Sequence, residues 1–120
     1  MDELFPLLLA GHLLGDWIVQ TDRQALNKTT SWAANQAHCL TYHLTMAAFV
    51  LPVWHTWGTA LAFVISWVSH GCIDRRWPVR WLLAHTGSEA FAQQLWGVLA
   101  ADQALHLAIL AVIAAVASGA

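Results

Sequence analysis

The chain has 120 residues, enough for one domain, of which 58% are hydrophobic and only 10% charged, and its mean hydropathy is +0.53. Soluble domains are about 25% charged, so apolar residues in this excess, gathered in long runs, point to a bilayer and away from an ordinary soluble domain. The formal net charge of -2, with no basic cluster beyond Arg75, Arg76 and Arg80, excludes nucleic acid as a partner.

The start, Met1-Asp2-Glu3, is acidic, whereas a secretory leader needs a positive n-region. The first apolar run is therefore expected to stay in the mature protein, as a helix from about Glu3 to about Thr21. Pro6 lies in its opening turn, where proline is tolerated. A polar connection from Asp22 to Ser31 follows, then a second apolar run from Trp32 to Val53. Pro52, Trp54, His55, Trp57 and Gly58 mark a turn. A third run extends from Thr59 to Ile73 and leaves through the basic, aromatic segment Asp74–Arg80. Thr86 and Glu89 have the spacing of a capping box, which predicts the start of a last helix reaching about Ala117, with its span beginning near Trp96. Gly58–Ser69 and Leu107–Ala120 contain no charged residue.

The predicted fold is all-α: one domain over residues 1–120, an integral membrane bundle of four transmembrane helices. All five basic residues, Arg23, Lys28, Arg75, Arg76 and Arg80, fall in the first and third connections. By the positive-inside rule both termini then lie outside, in a multi-pass protein of the cytoplasmic (inner) membrane. Trp32, Trp77, Trp81, Trp96, Trp54 and Trp57 fall near the expected interfaces. Trp17 and Trp67 fall within spans as packing residues. Cys39 and Cys72 form no CxxC pair and read as small packing residues. Asp2, Asp22 and Glu89 read as surface charges or caps.

Three of these helices carry a histidine and an aspartate four residues apart: His12/Asp16, His70/Asp74 and Asp102/His106. Residues at i and i+4 share a helix face, and Gln20 extends the first stripe. At 1.5 Å per residue all three pairs come within roughly 15 Å of the cytoplasmic helix ends. Ionisable groups inside a span are costly and pair with one another. A His/Asp pair can place two ligands on one ion, or set an imidazole beside an orienting carboxylate. The expected metal ligands are His12, Asp16, His38, His70, Asp74, Asp102 and His106, and the metal would be Zn, Mn or Fe(II), as one ion or a pair. His12, Asp16, Asp102 and His106 are the candidate catalytic groups. Gln20, Tyr42, Arg76 and Gln103 are the candidates for binding substrate. On the second helix Asn35, His38, Tyr42 and Thr45 form one stripe and Gln36 and His43 another, so His38 is expected in the cluster and His43 behind it. His55 and His85 fall in connections.

His12-x3-Asp16-x3-Gln20-Thr21-Asp22, Asn27-Lys28, His38-x3-Tyr42, His70-x3-Asp74-x-Arg76 and Asp102-Gln103-x2-His106 resemble, in order, the motifs of a family of small bacterial and phage membrane proteins catalogued as a domain of unknown function. The likeness runs from about Gly11 to about Leu110. Arg75 stands where that family usually has a serine. The resemblance implies a polytopic inner-membrane protein and supplies no activity.

Three functions fit. The leading one is a metal-dependent hydrolase acting on a lipid or phosphoester. The second is a proton or metal-ion carrier, disfavoured because the outer halves offer only Thr45, Thr59 and Ser66. The third is a structural or accessory subunit whose His/Asp pairs only hold helices together. The expected partners are the lipid bilayer and either another copy of the chain or another membrane protein, the small residues of the last helix suiting such contact.

Overall fold

The computed structural model describes residues 3–119, so the reading of Asp2 lies outside the described residues. It contains seven α-helices: α1 (Leu4–Leu13), α2 (Asp22–Asn27), α3 (Trp32–Val50), α4 (Trp57–Asp74), α5 (Trp77–His85), α6 (Glu89–Ala92) and α7 (Leu95–Gly119). A π turn, Leu14–Ile18, continues α1.

The expected four-transmembrane-helix bundle is not what the chain forms. Among the described residues only α7 is long and apolar enough to cross a membrane. The run Leu4–Ile18 is apolar but short. Helices α3 and α4 have 19 and 18 residues, but Asn35, Gln36, His38 and His43 dilute the first, and Ser66, Ser69, His70 and Asp74 the second. The inference of termini outside falls with the spans it rested on. The connections are structured too. Thr21 caps α2 in a reciprocal box with Gln24, and α5 and α6 occupy the segment before α7. The box expected at Thr86 and Glu89 does not form. Thr86 Oγ1 instead donates to the Leu82 carbonyl at 2.8 Å, closing α5, and Ser88 precedes α6 without a side-chain cap.

Helix α1 packs on α3 through Gly11 and Gly15, one turn apart. A Cβ at Gly11 would lie 3.0 Å from Met46 Cα, and one at Gly15 3.3 Å from Tyr42 Cα. Small residues at this spacing let backbones approach closely. His12 and Asp16, the next residue in each case, are thereby carried to α3. The π turn, closed by Val19 N–H on the Leu14 carbonyl at 2.8 Å, widens the helix at Asp16. Such turns recur at functional sites.

Two apolar clusters bracket a polar layer. At one end the start of α1, the end of α3, the start of α4 and the end of α7 meet through Leu4, Leu8, Met46, Val50, Ala62, Leu110, Ile113 and Ala117. At the other, Ile73, Val79 and Val98 tie α5 to α4 and α7. The corner between α4 and α5 is Arg76, in the left-handed region at φ 62°. That conformation is strained for a side-chain-bearing residue. The outer faces remain apolar: Ile18, Leu44, Leu61, Val64, Val68 and Val112 are all more than half exposed.

Gly11→Val is expected to lower stability by about 1–3 kcal/mol through overpacking against Met46. Gly119→Val, with nothing within 4 Å, leaves the thermal midpoint unchanged. Thermal melts of the two variants check this.

Candidate metal centre

The polar layer is built on two carboxylates, Asp16 from the π turn and Asp74 from the last turn of α4. Both are buried, Asp74 completely. Asp16 Oδ1 lies 3.0 Å from His38 Nε2 and 3.1 Å from Lys28 Nζ. Asp74 Oδ2 lies 3.0 Å from Lys28 Nζ, 3.1 Å from His38 Nε2 and 3.2 Å from His70 Nε2. The Nε2 atoms of His38 and His70 face each other at 3.0 Å. One ligand atom from each of Asp16, His38, His70 and Asp74 lies within 4.8 Å of every other. Metal–ligand bonds near 2.1 Å set neighbouring donors about 3.0–3.4 Å apart around an ion. The closest separations here match that spacing.

Hydrogen bonding does not consume these groups. His38 Nε2 is within 3.1 Å of three other donors or acceptors, yet an imidazole nitrogen carries at most one proton. Both Asp74 oxygens and the Nδ1 atoms of His38 and His70 are buried without a well-aligned hydrogen bond.

Lys28 enters from the connection after α2. Asn35 Nδ2 ties that connection to α4, donating to the Lys28 carbonyl at 3.3 Å and the Gly71 carbonyl at 3.0 Å. Burial alone would lower the Lys28 pKa, but Asp74 and Asp16 outweigh it and raise it, so the ammonium is charged at neutral pH. Burial alone would likewise raise the Asp74 carboxyl, and His70, His38 and Lys28 instead hold it well below the usual carboxylate range.

On the α7 side Gln103 Nε2 donates to Asp16 Oδ2 at 3.0 Å and Asp102 Oδ1 at 3.3 Å. Two carboxylates thus fix the orientation of its amide. Its oxygen then accepts, and His12 Nε2 at 3.0 Å and Trp17 Nε1 at 3.2 Å donate. His12 therefore presents Nδ1 as an acceptor, and the Tyr42 hydroxyl donates to it at 3.0 Å. Tyr42 also stacks on His70, with ring centroids 3.8 Å apart.

These contacts place each residue expected from the sequence. Asp16, His38, His70 and Asp74 come together, and Asp102 and His106 adjoin Asp16 and Asp74 in a second group. His12 stands beside the cluster with both ring nitrogens engaged, Nδ1 by Tyr42 and Nε2 by Gln103. Gln103 and Tyr42 belong to the same supporting network. Gln20 follows the π turn, where the chain has left the helix; its Oε1 is buried with no hydrogen bond. Arg76 Nε lies 3.7 Å from Asp102 Oδ2. His43 turns away, donating to the Cys39 carbonyl at 2.7 Å and meeting Ser66 Oγ at 3.0 Å. Trp17 and Trp67 are more than packing: Trp17 is 60% exposed and bonded to Gln103, and Trp67 Nε1 donates to Gln36 Oε1 at 2.8 Å.

Lys28 and Asn35 join the network without being site candidates from the sequence. Lys28 is the one lysine of the chain, and its place in the Asn27-Lys28 motif was the available signal. In a polar connection it read as a topology charge. Asn35 shared the His38 stripe, but helix periodicity gives no hint that an asparagine will bond a loop carbonyl.

Fold and donors together define an all-helical protein with a buried His/Asp cluster of metal-binding composition. The chain belongs to the family described as protein of unknown function (DUF3307), whose model matches residues 4–119. No curated protein and no solved structure matches it.

Lys28→Met is expected to destabilise the chelator-treated protein by about 3–5 kcal/mol, since it leaves two buried carboxylates without their cation. Adding Asp16→Asn recovers part of the loss. Chemical denaturation of the single and double variants checks both.

Proposed function

We propose that this protein holds a divalent metal ion between Asp16, His38, His70 and Asp74 and uses it to activate water against an anionic ester, a lipid or phosphoester. The observation that carries the reading is the meeting of two imidazole Nε2 atoms and two carboxylates at 3.0–3.2 Å. Imidazole nitrogen with carboxylate oxygen suits Zn, Mn or Fe(II). Charge supports it as well. Among the described residues, Asp16, Asp74 and Asp102 face two side chains of fixed positive charge, Lys28 and Arg76, so three carboxylates meet two such cations.

In this reading the ion supplies Lewis acidity and lowers the pKa of a bound water. The chain's own residues hold the site. Gln103 fixes Asp16 and Asp102 through its amide. Lys28 shares the carboxylates, each oxygen having two lone pairs. Tyr42 sets the plane of His70 by stacking. Arg76, with Arg75 and Arg80 on the same segment, attracts the anionic substrate. Helix α7 lies against lipid.

A second reading has one observation in its favour, the Lys28 ammonium at 3.0–3.1 Å from both carboxylates. There the lysine is itself the cation of a metal-free network that holds the helices together.

Elemental analysis of protein purified in mild detergent without chelator separates the two. A stoichiometric transition metal is expected in the wild type, with a drop of tenfold or more in His70→Ala/Asp74→Asn. Absence of metal in both, even after Zn or Mn is added back, rejects the metal reading and leaves the lysine network. For the lipid contact, the chain is expected to stay with the membrane pellet on alkaline carbonate extraction, and release into the supernatant would count against it.

A further inference from the structure

We infer that the cluster offers a second cation position, on the opposite oxygen of Asp74, so that Asp74 bridges two ions. The inference rests on the metal reading above. The second position lies among Asp74 Oδ1, His106 Nε2 and the carboxylates of Asp16 and Asp102. One ligand atom from each of these four lies within 4.8 Å of every other.

The argument turns on His106. Its Nδ1 lies 2.9 Å from Asp102 Oδ1 and 2.9 Å from the Asp102 carbonyl oxygen. With two acceptors there, Nδ1 carries the ring proton. In the neutral ring Nε2 is then a bare lone pair, and it faces Asp74 Oδ1 at 3.5 Å. Both atoms are buried without a hydrogen bond, and both residues are at most 3% exposed. A cation placed between these two buried atoms would be held by both of them.

His106 is also the best prepared ligand of the set. A carboxylate on the far ring nitrogen fixes the tautomer and raises the basicity of the near one. The Nδ1 atoms of His38 and His70 have no such partner. Lys28 does not compete for this position, because its ammonium contacts Asp16 Oδ1 and Asp74 Oδ2. Asp102 Oδ2 looks toward Arg76 Nε at 3.7 Å, which places the second position on the side where an anionic substrate would meet that guanidinium. A carboxylate bridging through its two oxygens sets ions about 3.5–4 Å apart, the spacing of two-metal hydrolytic centres.

The test loads chelator-stripped protein with Mn(II) alone and measures metal per chain together with the paramagnetic resonance spectrum. Two ions per wild-type chain with an exchange-coupled spectrum are expected. His106→Ala should hold one ion with an uncoupled six-line spectrum, and Asp102→Asn, which keeps the side-chain volume, should weaken the second ion at least tenfold. One ion in both wild type and His106→Ala overturns the second position and leaves the first standing. One ion in wild type and none in His106→Ala also overturns the inference, since a lone ion held by His106 means that the two positions are not filled together, and it counts against the first position as the one occupied. Two ions retained in both variants place the second ion elsewhere and also overturn the inference. No ion in any form rejects the metal reading itself.

Discussion

Two carboxylates in a dry interior cannot stand alone. Burying an ionised carboxylate without compensation costs several kcal/mol or more, and here Asp16 and Asp74 share one cluster. Every polar element of the bundle answers that constraint. The connection after α2 delivers Lys28 to both, and Asn35 ties that connection to α4. Helix α3 brings His38 to both, and α7 brings Gln103 to one and His106 to the other. The glycines on α1 matter for the same reason, since only a close α1–α3 approach puts Asp16 beside His38.

The constraint also separates the two ends of the molecule. Beyond His12 and Tyr42 the helices close on Leu4, Leu8, Met46, Val50, Leu110 and Ile113. Among the described residues that end is closed by apolar side chains. At the other end the charged side chains Arg75, Arg76 and Arg80 gather at the corner between α4 and α5. Arg75 lies over the Trp32 ring at 4.3 Å, which holds one of the three against α3.

Much of the site was legible in the sequence, because an i, i+4 pairing of His and Asp on an apolar helix is visible without a structure. The three pairs announced their helices, and the depth estimate put them in one layer. Periodicity could not say which nitrogen of a histidine is spent. His12 had the same spacing as His70, and only the amide orientation of Gln103 shows that both its nitrogens are engaged. The fold was less legible. Long apolar runs suggest spans, but the polar residues that make the site also lower the mean hydropathy of α3 and α4. The connections misled for a different reason. The Thr21/Gln24 capping box starts a helix inside Asp22–Ser31, a segment whose polarity suggests a connection, while Thr86 spends its hydroxyl on the helix behind it.

The hydrogen bonds around Gln103 also fix the direction of the network beside the cluster. A carboxamide cannot exchange its donor and acceptor ends by moving a proton; it must rotate. Since Asp16 and Asp102 both hold the NH2 end, the sequence Tyr42 to His12 to Gln103 has a single polarity, with each proton committed to one neighbour. The arrangement is therefore set one way, and reversing it means turning the Gln103 amide away from both carboxylates at once.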